Sequence, residues 1–217
     1  MILFLLLAIP LFYFFISLLP WGADPVTRTI SLISTFLKGA LVFFPGFLVM
    51  LITRRIFGFA YEGFPLYLSL FLRDHLVPLL AATAGFLLIQ KRLDFPATEE
   101  GIFLIAFSFF SGFLALLNLT DMVGRWGRWD AYGLFLLPVA RIAAIVLVSL
   151  SAPRFYRWQS TDGLAFCGIV ALLAALFCLG SFLFRISRPG WSAAFVAVSF
   201  LVALLFFAFR FPRVLRG

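Results

Sequence analysis

Arg73, Asp74 and His75 stand side by side near the middle of the apolar run 64–89, and Arg141 stands near the middle of the run 131–151. A charged group at the centre of a membrane-crossing helix costs ~2.5–3.5 kcal/mol on insertion scales, so such residues are expected to face protein or water and to find partners. As a functional set the four would form an intramembrane polar cluster, serving as an ion or proton relay or as a pocket for an anionic group. Two plainer arrangements use the same residues: a structural ion pair that ties two helices together, or a segment 64–74 that lies along the interface and leaves its charges wet. His75 titrates near neutral pH, and a histidine beside a carboxylate is equipment for general acid–base catalysis. It serves equally as a hydrogen-bonding member of an ion pair.

Counting places Asp74 and Arg141 at one depth. With Pro65 and Tyr132 as entry points, each lies nine residues further on, or ~13.5 Å of helix rise, close to half of a ~30 Å hydrocarbon layer. Pro78 adds a reason for polar company, because a proline inside a helix leaves the carbonyl four residues earlier, that of Asp74, without its N–H donor. The expectation is that Asp74 and Arg141 pair.

Other chemistry lacks its parts. The chain has one histidine and two cysteines. Cys167 and Cys178 are eleven residues apart in one apolar run, ~16 Å along a helix, too far for a disulfide and without the ligand set of a zinc site. No serine sits in a recognisable nucleophile turn. No catalytic residue, metal or cofactor is expected, and the balance leans against an enzyme.

The loop Gly124-Arg125-Trp126-Gly127-Arg128-Trp129-Asp130 alternates guanidinium and indole groups. Indole rings anchor at the head-group layer and guanidinium groups grip phosphates, so Arg125, Trp126, Arg128 and Trp129 are candidates for binding anionic lipid head groups. The stretch 126–130 is similar to part of the tryptophan-rich segment of cytochrome c haem-handling membrane proteins. The likeness covers five residues; that family also needs axial histidines on flanking helices, which a chain with one histidine does not supply. Asn118-Leu119-Thr120 matches a glycosylation acceptor, but it lies at a membrane boundary beyond the reach of a glycosylating enzyme.

Composition says what must position these residues. The 217-residue chain is 64% hydrophobic and 12% charged, against roughly 45–50% and ~25% in a soluble domain, so lipid must solvate much of its surface. Only helices and closed barrels satisfy backbone groups in lipid. No alternating strand pattern is present, so the fold class is an all-α polytopic membrane bundle with about seven transmembrane helices. One transmembrane domain, 1–217, is expected, with spans near 2–19, 39–53, 64–89, 101–119, 131–151, 163–184 and 191–209. The first of these has no basic leader and is too long for a signal core, so it reads as a retained span. Residues 25–38 form an amphipathic helix, either lying in the interface or extending the next span as a polar-striped end. Residues 121–130 read as a polar loop. Pro45, Pro78 and Pro138 are candidate helix breaks. Small residues four apart, such as Ser108/Gly112 and Ala81/Gly85, mark faces where helices approach closely.

The formal charge of +8 sits at the ends of apolar runs, facing head groups rather than nucleic acid. Nine basic residues fall on one side of the membrane and six on the other, a lean toward the N-terminus outside and the C-terminus inside. The expected setting is a bacterial inner membrane. Three function classes fit: first, a non-catalytic integral membrane subunit that packs against partner membrane proteins; second, a small transporter or channel using Arg73, Asp74, His75 and Arg141; third, a lipid-modifying membrane enzyme working near Arg125 and Arg128. The lipid bilayer, anionic head groups and a partner membrane protein are the expected partners, with no nucleic acid.

Overall fold

The computed structural model describes residues 2–19, 25–57, 62–89, 98–124, 130–155 and 160–212, and every regular element in them is helical. In chain order these are α1 (Ile2–Leu18), α2 (Pro25–Ile56), α3 (Gly63–Ile89), α4 (Glu99–Gly124), α5 (Tyr132–Phe155), α6 (Ser160–Arg185) and α7 (Pro189–Arg210). Six of the seven are long and apolar enough to cross a membrane; α1, with 17 residues, is shorter. The chain is an integral, multi-pass membrane protein of the all-α class.

Helix α4 is the axis. Every residue from Gly101 to Leu114 is buried, as expected of a helix that is apolar all round and enclosed by neighbours. Helices α1, α2 and α5 pack directly on it, α3 packs on α2 and α6, and α7 closes the far side against α5 and α6. Phenylalanines fill the core: Phe103, Phe109, Phe110 and Phe113 are wholly buried. Phe109 and Phe110 meet the ring of Phe86 at 5.3 and 5.4 Å between centroids.

At two places the structure refines the sequence reading. Of the two readings of residues 25–38, the extension of the next span is the one observed: 25–38 and 39–53 form one unbroken helix, α2. Gly39, within that helix, is a contact. A Cβ there would lie 2.0 Å from the Phe109 carbonyl oxygen, and a Cβ at Gly112 would lie 2.0 Å from that of Phe36. Each helix therefore offers a glycine to the other's backbone, the small-residue device that lets membrane helices approach closely. The second difference is at residue 119. Helix α4 continues past Leu119 to Gly124, so Asp121 is not in a loop. Its carboxylate is held by guanidinium groups of two neighbouring helices, and that pairing makes its burial in the last turn tolerable.

The helix starts carry ordinary caps. The Thr98 hydroxyl accepts the Gly101 N–H at 3.2 Å, and the Asp130 carboxylate accepts the Gly133 N–H at 2.6 Å. Each satisfies a donor that a helix start leaves open.

Helices α3 and α5 are not α-helical throughout. Phe71–Leu76 of α3 and Tyr132–Leu136 of α5 are π-helical, with Val77 N–H bonded to the Leu72 carbonyl and Leu137 N–H to that of Tyr132. Each widened stretch ends two residues before a buried proline, Pro78 or Pro138. A proline lacks the N–H and crowds the carbonyl four residues back, and an i→i+5 turn relieves both. Pro45, exposed on α2, has no such turn around it.

Candidate functional site

The late parts of α2, α4 and α6 meet the early parts of α3 and α5 at one end of the bundle, and the charges gather there. Arg54 is two residues before Ile56, the last of α2, and Asp121 three before Gly124, the last of α4. Arg141 is nine residues past Tyr132 and Asp74 eleven past Gly63. At 1.5 Å per residue, Asp121 lies ~4.5 Å inside its helix end and Arg141 ~13.5 Å inside its own. The site is thus a chain of charges reaching from one face into the bundle rather than a cluster at mid-membrane.

Its pairing differs from the expected one. The Arg141 guanidinium donates to the Asp121 carboxylate and to the Asn118 side-chain carbonyl, while Asn118 donates in turn to the Leu5 carbonyl at 3.1 Å. Asp74 takes two bonds from Arg73, at 3.0 and 2.7 Å. Arg54 spans the carboxylates, 3.1 Å from Asp121 and 3.9 Å from Asp74. Asp74 and Arg141 therefore share a network without being each other's ion-pair partner. The reason is reach: Asn118 and Asp121, three apart on a helical face, meet the end of Arg141, while Arg73 next door already claims Asp74.

Arg73, His75 and Arg141 are buried by protein, while Asp74 is partly exposed. On the side away from Arg73, His75 Nε2 lies 2.7 Å from the Ser181 hydroxyl, and the same hydroxyl lies 2.6 Å from the phenol of Tyr132. His75, Ser181 and Tyr132 come from α3, α6 and α5, and all three are buried.

Two small cavities adjoin this network, each of about 20 Å³, roughly room for one water. The outer one is bordered by Asp121, Tyr132, Ser181 and the exposed Arg185. The inner one is bordered by apolar groups, among them Leu114, Ala144 and Phe177. Asp74, His75, Leu137 and Arg141 border both. They form the wall between an outer and an inner chamber.

Of the sequence candidates, Arg73, Asp74, His75 and Arg141 come together here. Arg125, Trp126, Arg128 and Trp129 lie outside the described residues. Sequence reasoning passed over Arg54, Asn118, Asp121, Tyr132 and Ser181. Asn118 and Asp121 carried a usable signal, since three-residue spacing puts them on one face if the helix continues. Among the described residues no group of three or more His, Cys, Asp or Glu could hold a metal ion. No protein-family model, curated protein or solved structure matches this chain.

Proposed function

We propose that the chain is a small membrane transporter or channel whose working part is the wall formed by Asp74, His75, Leu137 and Arg141. The observation that carries this reading is the pair of water-sized chambers on either side of that wall, both bordered by the same ionisable side chains. Ionisable groups within membrane helices are expensive and mark solute or ion paths more often than they serve as mere fasteners. The two π-helical stretches strengthen the reading. Widened turns occur frequently at functional sites, and here one carries Asp74 and His75 while the other begins at Tyr132. Irregular helix at membrane depth, beside a cavity bordered by ionisable groups, is also how transporters build their binding sites.

The test is reconstitution of the purified chain alone into vesicles, followed by flux measurements with protons, inorganic cations, inorganic anions and small neutral solutes. At least one species should cross faster than in protein-free vesicles, and folded Arg141→Gln or Asp74→Asn protein should lose that flux. If no species crosses, the reading fails.

A second reading, a non-catalytic subunit that packs against partner membrane proteins, is favoured by a different observation. Asp74 and Asp121 each have a guanidinium partner within the chain, the arrangement a structural clamp requires. Co-purification of a stoichiometric membrane partner, together with silent vesicles, is the outcome that selects it.

A further inference from the structure

We infer that the species handled at this site is the proton, and that it reaches His75 along the hydroxyls of Tyr132 and Ser181; this rests on the transport reading above and names its substrate. Three features of the outer chamber separate the proton from other candidates. It has room for roughly one water, so an organic solute does not fit. Its border balances the guanidinium groups of Arg141 and Arg185 against the carboxylates of Asp74 and Asp121, so charge draws in neither an inorganic anion nor a metal cation. And it is bordered by a continuous hydrogen-bonded line, Tyr132 to Ser181 at 2.6 Å and Ser181 to His75 at 2.7 Å. A proton needs no cavity of its own; it moves by exchange along such a line.

The transfer balances with water as the only co-reactant. Ser181 gives its hydroxyl proton to His75 Nε2, takes one from Tyr132, and Tyr132 is reprotonated by a hydronium ion in the outer chamber. Three O–H or N–H bonds form and three break, and the imidazole becomes imidazolium. His75 then releases a proton from its other ring nitrogen toward the inner chamber, which it also borders, and the line resets when the hydroxyls rotate and the ring returns to its first tautomer. The charged groups gathered around His75 are Asp74 beside it, Asp121 from α4, Arg141 from α5 and Arg185 from α6, with Arg54 of α2 reaching Asp74. Ser181 has the one property the line requires, a group that donates and accepts at once. The inner chamber is otherwise bordered by apolar groups, Leu114, Ala144 and Phe177 among them.

The experiment uses the full chain in vesicles containing a pH-sensitive dye, with a potassium diffusion potential to drive protons inward. The wild-type protein should acidify the interior faster than empty vesicles do. Ser181→Ala and Tyr132→Phe should drop the rate to background, His75→Gln should do the same, and Ser181→Thr, which keeps the hydroxyl, should retain it. Because the chain has one histidine, ¹⁵N-histidine labelling gives a single imidazole whose tautomer and exchange are read directly, including in the wild type should a variant fail to fold. That imidazole should exchange its protons and sample both tautomers. The proton inference is overturned if the Ala and Phe variants conduct like wild type, if the imidazole holds one tautomer without exchanging its protons, or if an inorganic ion crosses in an Arg141-dependent manner while protons do not. The last result leaves the transport reading standing. Vesicles silent to every species overturn both.

Discussion

Helix α4 is buried along most of its length, but by opposite means at its middle and at its end. Around Gly112 it has no side chain to offer, and the α2 backbone fills the gap, with Gly39 returning the arrangement toward Phe109. Five and eight residues beyond Phe113, its last buried phenylalanine, at Asn118 and Asp121, it offers polar groups that Arg141 and Arg54 bind. The first device stabilises through close packing and requires only the absence of a Cβ. The second removes two carboxylates and several guanidinium groups from water, and well-packed apolar residues of similar volume are often as stable or more so. Stability therefore explains the glycine crossing but not the charged end. That contrast is the physical reason to look for function at one and not at the other.

A substitution at the crossing should have the largest effect. A side chain at Gly39 or Gly112 meets a carbonyl oxygen at 2.0 Å, and a backbone group cannot rotate aside as a side chain does. Gly39→Val or Gly112→Val should push α2 and α4 apart and lose more than the about 1–3 kcal/mol of ordinary overpacking, seen as loss of folded protein in detergent. Gly168 on α6 has nothing within 4 Å of its Cβ position, so Gly168→Ala is the control and should keep or slightly raise the melting temperature. A folded, wild-type-like Gly112→Val protein would refute the account of the crossing.

The charged end should yield the next largest effect. Removing one partner of a buried pair strands the other and costs ~3–5 kcal/mol, whereas removing both costs less. Asp121→Asn should therefore destabilise strongly, and adding Arg141→Gln should recover part of the loss. Asp74→Asn combined with Arg141→Gln should show weaker coupling, because Asp74 is bonded to Arg73 instead. Thermal unfolding of the singles and both doubles decides it. Equal coupling in the two cycles would mean that the network does not discriminate between its carboxylates.

These two regions also differ in how legible they were. Charges inside apolar runs announce themselves through their insertion cost, so Arg73, Asp74, His75 and Arg141 stood out. Arg54 and Asp121 did not, because a charge near the end of an apolar run is where lipid head groups normally receive one. Ser181 and Tyr132 gave no sign either: a hydroxyl in a membrane helix satisfies itself on the preceding turn, as Thr83 does on the Leu79 carbonyl, and nothing in the sequence separates that case from a bond across helices. The apolar runs revealed the helices and their number, while the role of Gly39 stayed hidden. Glycine interrupts helices in water, but between close-packed membrane helices it is what allows contact.

The smallest effect on stability, and the finest test of the contrast, concerns the prolines. Pro78 and Pro138 each follow a π-helical stretch by two residues, whereas Pro45 lies on α2 without one. The difference tracks surroundings: Pro45 is exposed, so α2 can accommodate its ring on the outer side, while Pro78 and Pro138 are buried and their helices are held on several sides. If the proline is the cause of the widened turn, Pro78→Ala restores an N–H able to bond the Asp74 carbonyl. A hydrogen bond of that kind is worth about 1 kcal/mol net, so the variant should melt at or slightly above the wild-type temperature. Narrowing the turn would also rotate Asp74 and His75 away from the wall they share with Arg141, so flux through the site should fall although the fold is intact. Intact stability with lost flux places the π-turn in the service of function. A loss of several kcal/mol would place its origin elsewhere, in the pull of Arg54 and Arg73 on Asp74, and the prolines would then only sit nearby.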